Sequence, residues 1–298
     1  MIRPDPVTPN DAEGDALPSE TAGIPILDAH VHLFPDGVFD AIFRWFDTHA
    51  WPIRYKLHSD AVLDHLESRG VREVVALHYA HKPGMAQSLN EYVLGVARRR
   101  PGVIPTATVY PGEPGAREIL RRAFGEGARG VKLHCHVQRM APDDERLDEV
   151  YEEATRARVP VVIHAGREPS SEAYGVDCYA LCAASRMENV LRRHPELLLI
   201  VPHLGADEFA EYDAMLDRHP NLHLDTTMVM AGYFPIAPDE GFLARRADRL
   251  LYGTDFPNIP YAWDRELRRI ASAGLEPAAL GKILGGNARR LFGVRSPS

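Results

Sequence analysis

Residues 24–32, Ile-Pro-Ile-Leu-Asp-Ala-His-Val-His, combine a short apolar run with two histidines two positions apart, His30 and His32. A short apolar run of this kind is typical of a buried β-strand. Side chains alternate between the two faces of a strand, so we expect both imidazoles to face the same way. Two imidazoles on one face can share a metal ion, but the pair alone does not distinguish a metal site from two surface or core histidines.

Seven further runs of this kind follow, and helical stretches separate them. The eight candidate strands cover residues 24–32, 71–79, 103–110, 130–134, 159–164, 197–203, 221–227 and 250–255. From the second strand onward, the starts of neighbouring strands are separated by about the length of one βα unit. The pattern predicts an α/β fold, namely a (β/α)8 TIM barrel in a single domain, with an open doubly wound sheet as the alternative.

Polar residues end several of these strands. His134 ends the fourth, His164 the fifth, His203 the sixth and Asp255 the eighth. The carboxyl ends of barrel strands converge on one face, which favours the closed barrel and predicts a shared site. A set of imidazoles with a carboxylate suits zinc, and manganese or iron(II) would fit similar ligands.

The motifs that contain these residues occur in a fixed order along the chain. They are DAHVH (28–32), GVKLH (130–134), VVIHAG (161–166), VPHLG (201–205), LLYGTDFP (250–257) and GGNARRLFG (285–293). Over residues 24–293 the chain resembles the amidohydrolase 2 branch of the amidohydrolase superfamily. That branch includes aminocarboxymuconate-semialdehyde decarboxylase and related metal-dependent hydrolases.

The resemblance implies that His30, His32, His164 and Asp255 hold one divalent metal ion, for which Zn2+ is the first expectation. It also implies catalytic roles for Asp255, as proton acceptor and donor, and for His203, which lies beside the metal-activated water in that branch. Binuclear relatives carry a carboxylated lysine or a glutamate at the end of the fourth strand. We interpret Lys132 as a pocket or structural residue rather than as such a bridge.

Other polar residues near strand ends are candidates for contact with the substrate. We predict substrate binding by His134, Arg167, Tyr79 and His81. Asp28 is either a residue that supports the metal ligands or a cap at the strand end.

Two loops on the same face are candidates for the walls of a pocket. Residues 33–56 form an unusually long insertion with seven aromatic side chains. It is either a lid over the pocket or a subunit contact, or else a hydrophobic plug that closes the barrel. The loop after the seventh strand could form the opposite wall through Met228, Met230, Tyr233 and Phe234.

The leading functional hypothesis is a hydrolase that uses a metal-activated water on an amide, lactone or ester-like bond of a small molecule. The alternative is a metal-dependent non-oxidative decarboxylase of an aromatic or unsaturated carboxylic acid, because the same branch and ligand set serve both reactions. An arginine placed to hold a substrate carboxylate would favour the decarboxylase, and Arg167 is the candidate by position. A barrel that serves only as a scaffold is disfavoured, because every metal position is filled.

Composition excludes several other classes of protein. The formal charge of −8 and the lack of basic runs argue against a nucleic-acid partner. The longest apolar run, residues 197–201, is too short for a membrane span. Three cysteines without a CxxC pair indicate a reducing compartment, so we expect a cytoplasmic protein. The resemblance also suggests a homodimer.

The beginning of the chain differs from the rest in composition. Residues 1–23 contain four prolines, five carboxylates and a single arginine. Low hydrophobicity with many prolines predicts a flexible acidic leader. We therefore assign residues 24–298 to the barrel.

Overall fold

The computed structural model describes residues 11–234, 236, 238–239 and 241–295. Within these residues every predicted strand is present. They are β1 (Leu27–His32), β2 (Glu73–Leu77), β3 (Val103–Pro105), β4 (Val131–His134), β5 (Val161–His164), β6 (Leu199–Val201), β7 (Leu222–Asp225) and β8 (Leu250–Leu251). All neighbouring pairs are parallel.

Two isolated bridges close these strands into a barrel. β1 to β3 form one run of hydrogen-bonded neighbours, and β4 to β8 form another. Ala107, just after β3, pairs with Val131 of β4, while Phe256, just after β8, pairs with Val31 of β1. The first and last strands therefore meet, which confirms the barrel and excludes the open sheet.

Thirteen α-helices are described around and between the strands. They are α1 (Asp36–His49), α2 (Ser59–Ser68), α3 (Ala86–Arg99), α4 (Ala116–Gly125), α5 (Cys135–Gln138), α6 (Asp148–Ala157), α7 (Cys178–Leu181), α8 (Ala184–Arg193), α9 (Phe209–Arg218), α10 (Phe242–Arg245), α11 (Arg265–Ala271), α12 (Pro277–Gly281) and α13 (Asn287–Leu291). None of the helices in the described ranges has the length and apolarity needed to cross a membrane.

Strand residues alternate between two apolar layers. Val75, Ile104 and Val162 belong to a cluster to which six strands contribute, so it lies where the strands face one another inside the barrel. Their neighbours along each strand pack in the larger cluster that the surrounding helices share. This alternation is the period of two that the sequence predicts.

β1 departs from that alternation where it reaches the catalytic face. Its pairing with β2 is interrupted between Asp28 and Val31. Such an irregularity changes the direction of the side chains that follow it. As a result Ala29 belongs to the interior cluster, whereas His30 and His32 line the cavity described below.

Part of the predicted leader packs on the barrel. The Tyr55 hydroxyl donates to the Glu13 carboxylate at 2.6 Å, and Arg69 pairs with the same carboxylate at 2.8 Å. The Gly14 amide donates to Asp264 at 2.8 Å. Residues 11–23, part of the predicted flexible acidic leader, therefore pack on the barrel, where the carboxylates of Asp11 and Glu13 find cationic partners. Residues 1–10 of that leader lie outside the described residues.

Candidate active site

A cavity of about 700 Å³ opens at the carboxyl ends of the strands. His30, His32, His164, His203 and Asp255, the predicted metal and catalytic residues, all line it. The convergence of strand ends predicted from the sequence therefore brings these five side chains into one space.

Three of the four predicted metal ligands lie together. One ligand atom from each of His30, His32 and Asp255 falls within 4.8 Å of the other two. Asp255 Oδ1 lies 2.8 Å from His32 Nε2 and 3.3 Å from His30 Nε2. The ligand atom of His164 is instead grouped with those of His134 and His136.

The hydrogen bonds of the two imidazoles test whether this group fits a cation. His30 Nδ1 lies 2.8 Å from Asp225 Oδ2, and His32 Nδ1 lies 3.2 Å from the Leu77 carbonyl. Both acceptors favour a proton on Nδ1, which leaves a lone pair on each Nε2. Two lone pairs then face a carboxylate oxygen, and this arrangement is repulsive unless a cation lies between them. The residues therefore fit a divalent metal ion.

Asp225 is a functional residue that the sequence reasoning missed. It is buried at the end of β7, where its other oxygen accepts from the His203 amide at 3.0 Å and the Thr227 amide at 3.2 Å. Although burial raises its pKa, the His30 imidazole lowers the pKa of Asp225 to about 2, so the carboxylate is charged. Its position at a strand end was the signal that could have identified it.

A chain of hydrogen bonds fixes the orientation of His203. Its Nδ1 lies 3.1 Å from the Thr227 carbonyl, and its Nε2 lies 3.2 Å from His164 Nδ1. The carbonyl requires a proton on His203 Nδ1, so His203 Nε2 accepts from His164. This leaves a lone pair on His164 Nε2, which is buried without a hydrogen-bond partner among the described residues.

The backbone at both predicted catalytic residues is strained. Asp255 has φ 66° and His203 has φ 58°, and Leu204 and Ala206 share the left-handed region. Such conformations are costly for residues other than glycine and cluster at functional sites. Gly205, at φ 82°, accommodates the close approach of Tyr212, since a Cβ there would lie 2.0 Å from its ring.

Two buried charged groups lie near the ligands. Lys132 lines the cavity, and burial lowers its pKa to about 8. Asp28 does not face the cavity. It accepts from the Thr254 hydroxyl at 2.6 Å and from the His30 amide at 3.0 Å, and burial raises its pKa to about 7. Asp28 therefore joins β1 to the loop after β8.

Of the predicted substrate-binding residues, His134, Tyr79 and His81 line the cavity. Arg167 does not line it within the described residues. Its guanidinium instead pairs with Asp207 at 2.6 Å and lies 3.3 Å from Glu208. Two acidic side chains of the loop after β6 therefore neutralise Arg167 outside the cavity, and its role in substrate binding stays a prediction.

The predicted opposite wall is also absent from the cavity lining. Met228, Met230, Tyr233 and Phe234 are not among the described residues that line the cavity. The Phe234 ring packs 5.8 Å from the His203 ring and therefore supports this histidine. Tyr174, in the loop after β5, provides an aromatic wall that sequence reasoning missed.

The insertion of residues 33–56 combines two of the three roles that we considered, the lid and the plug. Trp45, Phe46 and Trp51 line the cavity, as a lid would. Phe34 and Phe39 are buried in a separate apolar cluster beneath them, as a plug would be. One face of α1 thus covers the cavity while the other anchors the helix.

Comparisons with known proteins agree with this fold. The chain is similar to an uncharacterised TIM-barrel protein from Bordetella bronchiseptica, with 20% identity, a TM-score of 0.68 and coverage of 90% of this chain and 98% of that chain. A 5-carboxyvanillate decarboxylase from Novosphingobium aromaticivorans, solved with manganese, shows 16% identity, a TM-score of 0.67 and coverage of 96% and 99%. A 2,6-dihydroxybenzoate decarboxylase from Rhizobium shows 19% identity, a TM-score of 0.63 and coverage of 90% and 98%.

No curated protein matched the sequence. The family model described as amidohydrolase matches residues 27–294, which include every strand of the barrel. The chain belongs to the amidohydrolase family and, within it, to the metal-dependent amidohydrolase 2 branch.

Proposed function

We propose that this protein is a metal-dependent decarboxylase of an aromatic carboxylic acid. The observation that carries the proposal is Arg139, which lines the cavity, is exposed and makes no ion pair with any described residue. Asp255 is the only carboxylate among the described lining residues, and Lys82 is a second unpaired cation there. A cavity with this charge balance favours an anionic ligand.

The aromatic side chains that line the cavity indicate the shape of the substrate. Trp45, Trp51, Tyr79 and Tyr174 present aromatic faces or edges to the cavity. Aromatic side chains favour stacked or edge-to-face contact with another ring. An aromatic acid would therefore place its ring between these walls and its carboxylate towards the cations.

His30, His32 and Asp255 would hold the divalent ion, which would withdraw electron density from an oxygen of the bound acid. Loss of carbon dioxide leaves a carbanion on the ring, which has to take up a proton. Asp255, itself one of these ligands, and His203 are the titratable groups at this position, so we assign to them the relay of a proton from solvent to the ring carbon. His203 Nδ1 donates to the Thr227 carbonyl and His203 Nε2 accepts from His164 Nδ1, so a proton that His203 passes on would travel through Nε2.

Hydrolysis of an amide, lactone or ester-like bond is the second candidate, and the exposure of Asp255 favours it. The Asp255 side chain is 12% exposed, against 1% for His30, so water from the cavity reaches the carboxylate. Asp255 would then accept the proton of the attacking water and return it to the leaving group.

The test is a panel of aromatic acids and of lactones and amides, with release of carbon dioxide and hydrolysis scored separately. We expect carbon dioxide from at least one aromatic acid. Arg139→Gln should raise KM for that acid about 10-fold or more, as expected when a charge-assisted hydrogen bond is lost. Arg167→Gln is the matched control and should leave KM unchanged. Hydrolysis without decarboxylation across the panel would contradict the proposal.

A further inference from the structure

One carboxylate joins the N-terminal segment to parts of the chain that line the cavity. Glu13 lies among residues 11–23, which pack on the barrel. It accepts from the Tyr55 hydroxyl at 2.6 Å, and Arg69, directly after α2, pairs with it at 2.8 Å. The Glu13 side chain is only 17% exposed. Because its contacts are charge-assisted and partly shielded from water, they are stronger than surface ion pairs.

Tyr55 extends this contact into the loop after β8. Burial raises the pKa of its hydroxyl above the usual range, and the hydrogen bond to Glu13 raises it further, so the hydroxyl stays protonated. The same hydroxyl accepts from the Trp263 amide at 3.1 Å. The Tyr55 ring packs against Phe256, with 4.9 Å between ring centroids, and the Phe256 carbonyl accepts from the His32 amide at 2.8 Å. Tyr55 therefore contacts this loop at two points, one of which is bonded to β1.

The insertion and the loop after β8 also meet at the cavity itself. The Trp51 indole donates to the Asn258 carbonyl at 2.8 Å, and both residues line the cavity. The Arg54 amide donates to the Ile259 carbonyl at 3.0 Å. Tyr55 directly follows Arg54 in the chain. A displacement of Tyr55 would therefore be transmitted to this part of the cavity wall.

The N-terminal segment contacts both sides of this junction. On the side of the insertion, Arg54 Nη1 donates to the Asp11 carbonyl at 2.6 Å. On the side of the loop after β8, the Gly14 amide donates to Asp264 at 2.8 Å. Residues 11–14 thus bridge two segments that are distant in sequence.

We propose that Glu13 is a positioning residue for the substrate cavity. Through Tyr55 it holds the end of the insertion against the loop after β8, and this contact fixes the wall that Trp51 and Asn258 form. Glu13 itself does not line the cavity among the described residues, so it acts only through its neighbours. The inference rests on the proposed function for its kinetic test alone, because the wall is the same whichever reaction the site performs.

The kinetic test uses the aromatic acid identified with the panel. Glu13→Ala and Tyr55→Phe each break the path, so each should raise KM about 10-fold while kcat changes less than about 2-fold. Because both changes act on one path, the double variant should raise KM no further than either single variant. Glu20→Ala is the matched control, since Glu20 lies in the same segment and bonds only to Ser19 among the described residues. Its KM should equal that of the wild type.

Hydrogen exchange distinguishes a positioning residue from a simple tether of the N-terminal segment. We expect residues 51–56 to exchange at least about 10-fold faster in Glu13→Ala and in Tyr55→Phe than in the wild type. The Arg54 amide is the most informative position, because neither change removes its acceptor. β4, which lies away from this junction, should keep its wild-type exchange rates.

Faster exchange confined to residues 11–23, with wild-type KM, would overturn the proposal and make Glu13 a tether only. Equally faster exchange in β4 would also overturn it, because the effect would then be a general loss of stability. If Glu13→Ala does not fold, Tyr55→Phe decides, since it leaves the other contacts of the segment in place. If the wild type turns over no aromatic acid, the proposed function fails, and exchange alone decides the role of Glu13.

Discussion

Asp225 orients the ring of His30, a proposed metal ligand, through the ring nitrogen that faces away from Asp255. Its carboxylate accepts the Nδ1 proton of His30 at 2.8 Å, which directs the lone pair of Nε2 towards Asp255. Carboxylates that hold histidine ligands in this way tune both the orientation and the basicity of the ring. Asp225 would act by fixing which ring nitrogen of His30 carries the proton, and it would not contact the ion.

Asp225→Asn should therefore lower metal affinity about 10- to 100-fold. The amide nitrogen of the new side chain would face His30 Nδ1 and force the proton onto Nε2, where it blocks ligation. Metal affinity by competition with a chelating dye is the measurement. Asp28→Asn is the control, because Asp28 bonds the His30 amide and not its ring. An equal loss in both variants would point to general loosening of the site.

Asp255 and His203 should both be needed for turnover, for different reasons. Asp255→Asn removes a ligand and a proton-transfer group, so we expect activity to fall at least about 100-fold together with metal affinity. His203→Asn should cost a similar factor, about 100-fold, while bound metal stays nearly unchanged. Elemental analysis and turnover are measured on the same samples. Metal loss from the His203 variant would make it a ligand instead.

Helix α1 covers the cavity with one face and packs into a buried apolar cluster with another. Trp45 lines the cavity and contacts Tyr174, with 4.9 Å between ring centroids, so α1 and the loop after β5 meet over the ligand space. Phe39 and Phe43 stack at 5.4 Å on the buried side of the same helix. The spacing of four between Phe39 and Phe43 places them on one helical face, whereas Trp45 lies on another.

The two faces of α1 should respond differently to truncation. Trp45→Ala should raise KM about 10-fold with little change in stability, because it removes a wall of the binding site. Phe39→Ala should lower the free energy of unfolding by about 3–5 kcal/mol, because it opens a cavity in a packed cluster. Steady-state kinetics and urea unfolding distinguish the two effects. A large stability loss in Trp45→Ala would assign that residue to the core.

The barrel as a whole buries several neutral histidines. Burial lowers the pKa of His30 and His78 to about 4 and that of His223 to about 3, and it also lowers those of His134 and His164. An unfolded histidine takes up a proton near pH 6.5, whereas these folded ones do not. The unfolded chain therefore binds more protons below that pH.

The metal-free protein should accordingly lose stability as pH falls from about 6.5 towards 4, and gain none from this source above 6.5. Asp28 has the opposite effect, because its raised pKa of about 7 makes the folded chain bind the extra proton. This single group offsets the effect of only one histidine on stability. In His223→Gln the slope of unfolding free energy against pH should fall by about 1.4 kcal/mol per pH unit. Urea unfolding at pH 4.5, 5.5 and 6.5 measures both slopes; identical slopes would show that His223 is protonated in the folded state.

Assembly and cellular location remain predictions at this scale. A homodimer and a cytoplasmic location follow only from the resemblance and from cysteine usage. The three cysteines, Cys135, Cys178 and Cys182, are buried and free.

The sequence by itself determined the barrel and the residues at its catalytic face. Apolar runs of strand length, separated by the length of a βα unit, are local patterns that can be recognised in the sequence. Eight such units bury their apolar side chains when the strands close into a barrel. Because barrel strands are parallel and their carboxyl ends meet on one face, His30, His32 and Asp255 lie at neighbouring strand ends. This placement does not depend on the conformation of any loop.

Only the tertiary structure decided which side chains pair with which. Arg167 and Arg139 both follow strand ends, yet the first is neutralised by Asp207 while the second faces the cavity. His136 joins His164 because the chain turns into α5 immediately after β4. Such pairings depend on loop conformations set by contacts between residues distant in sequence, and periodicity carries no information about them.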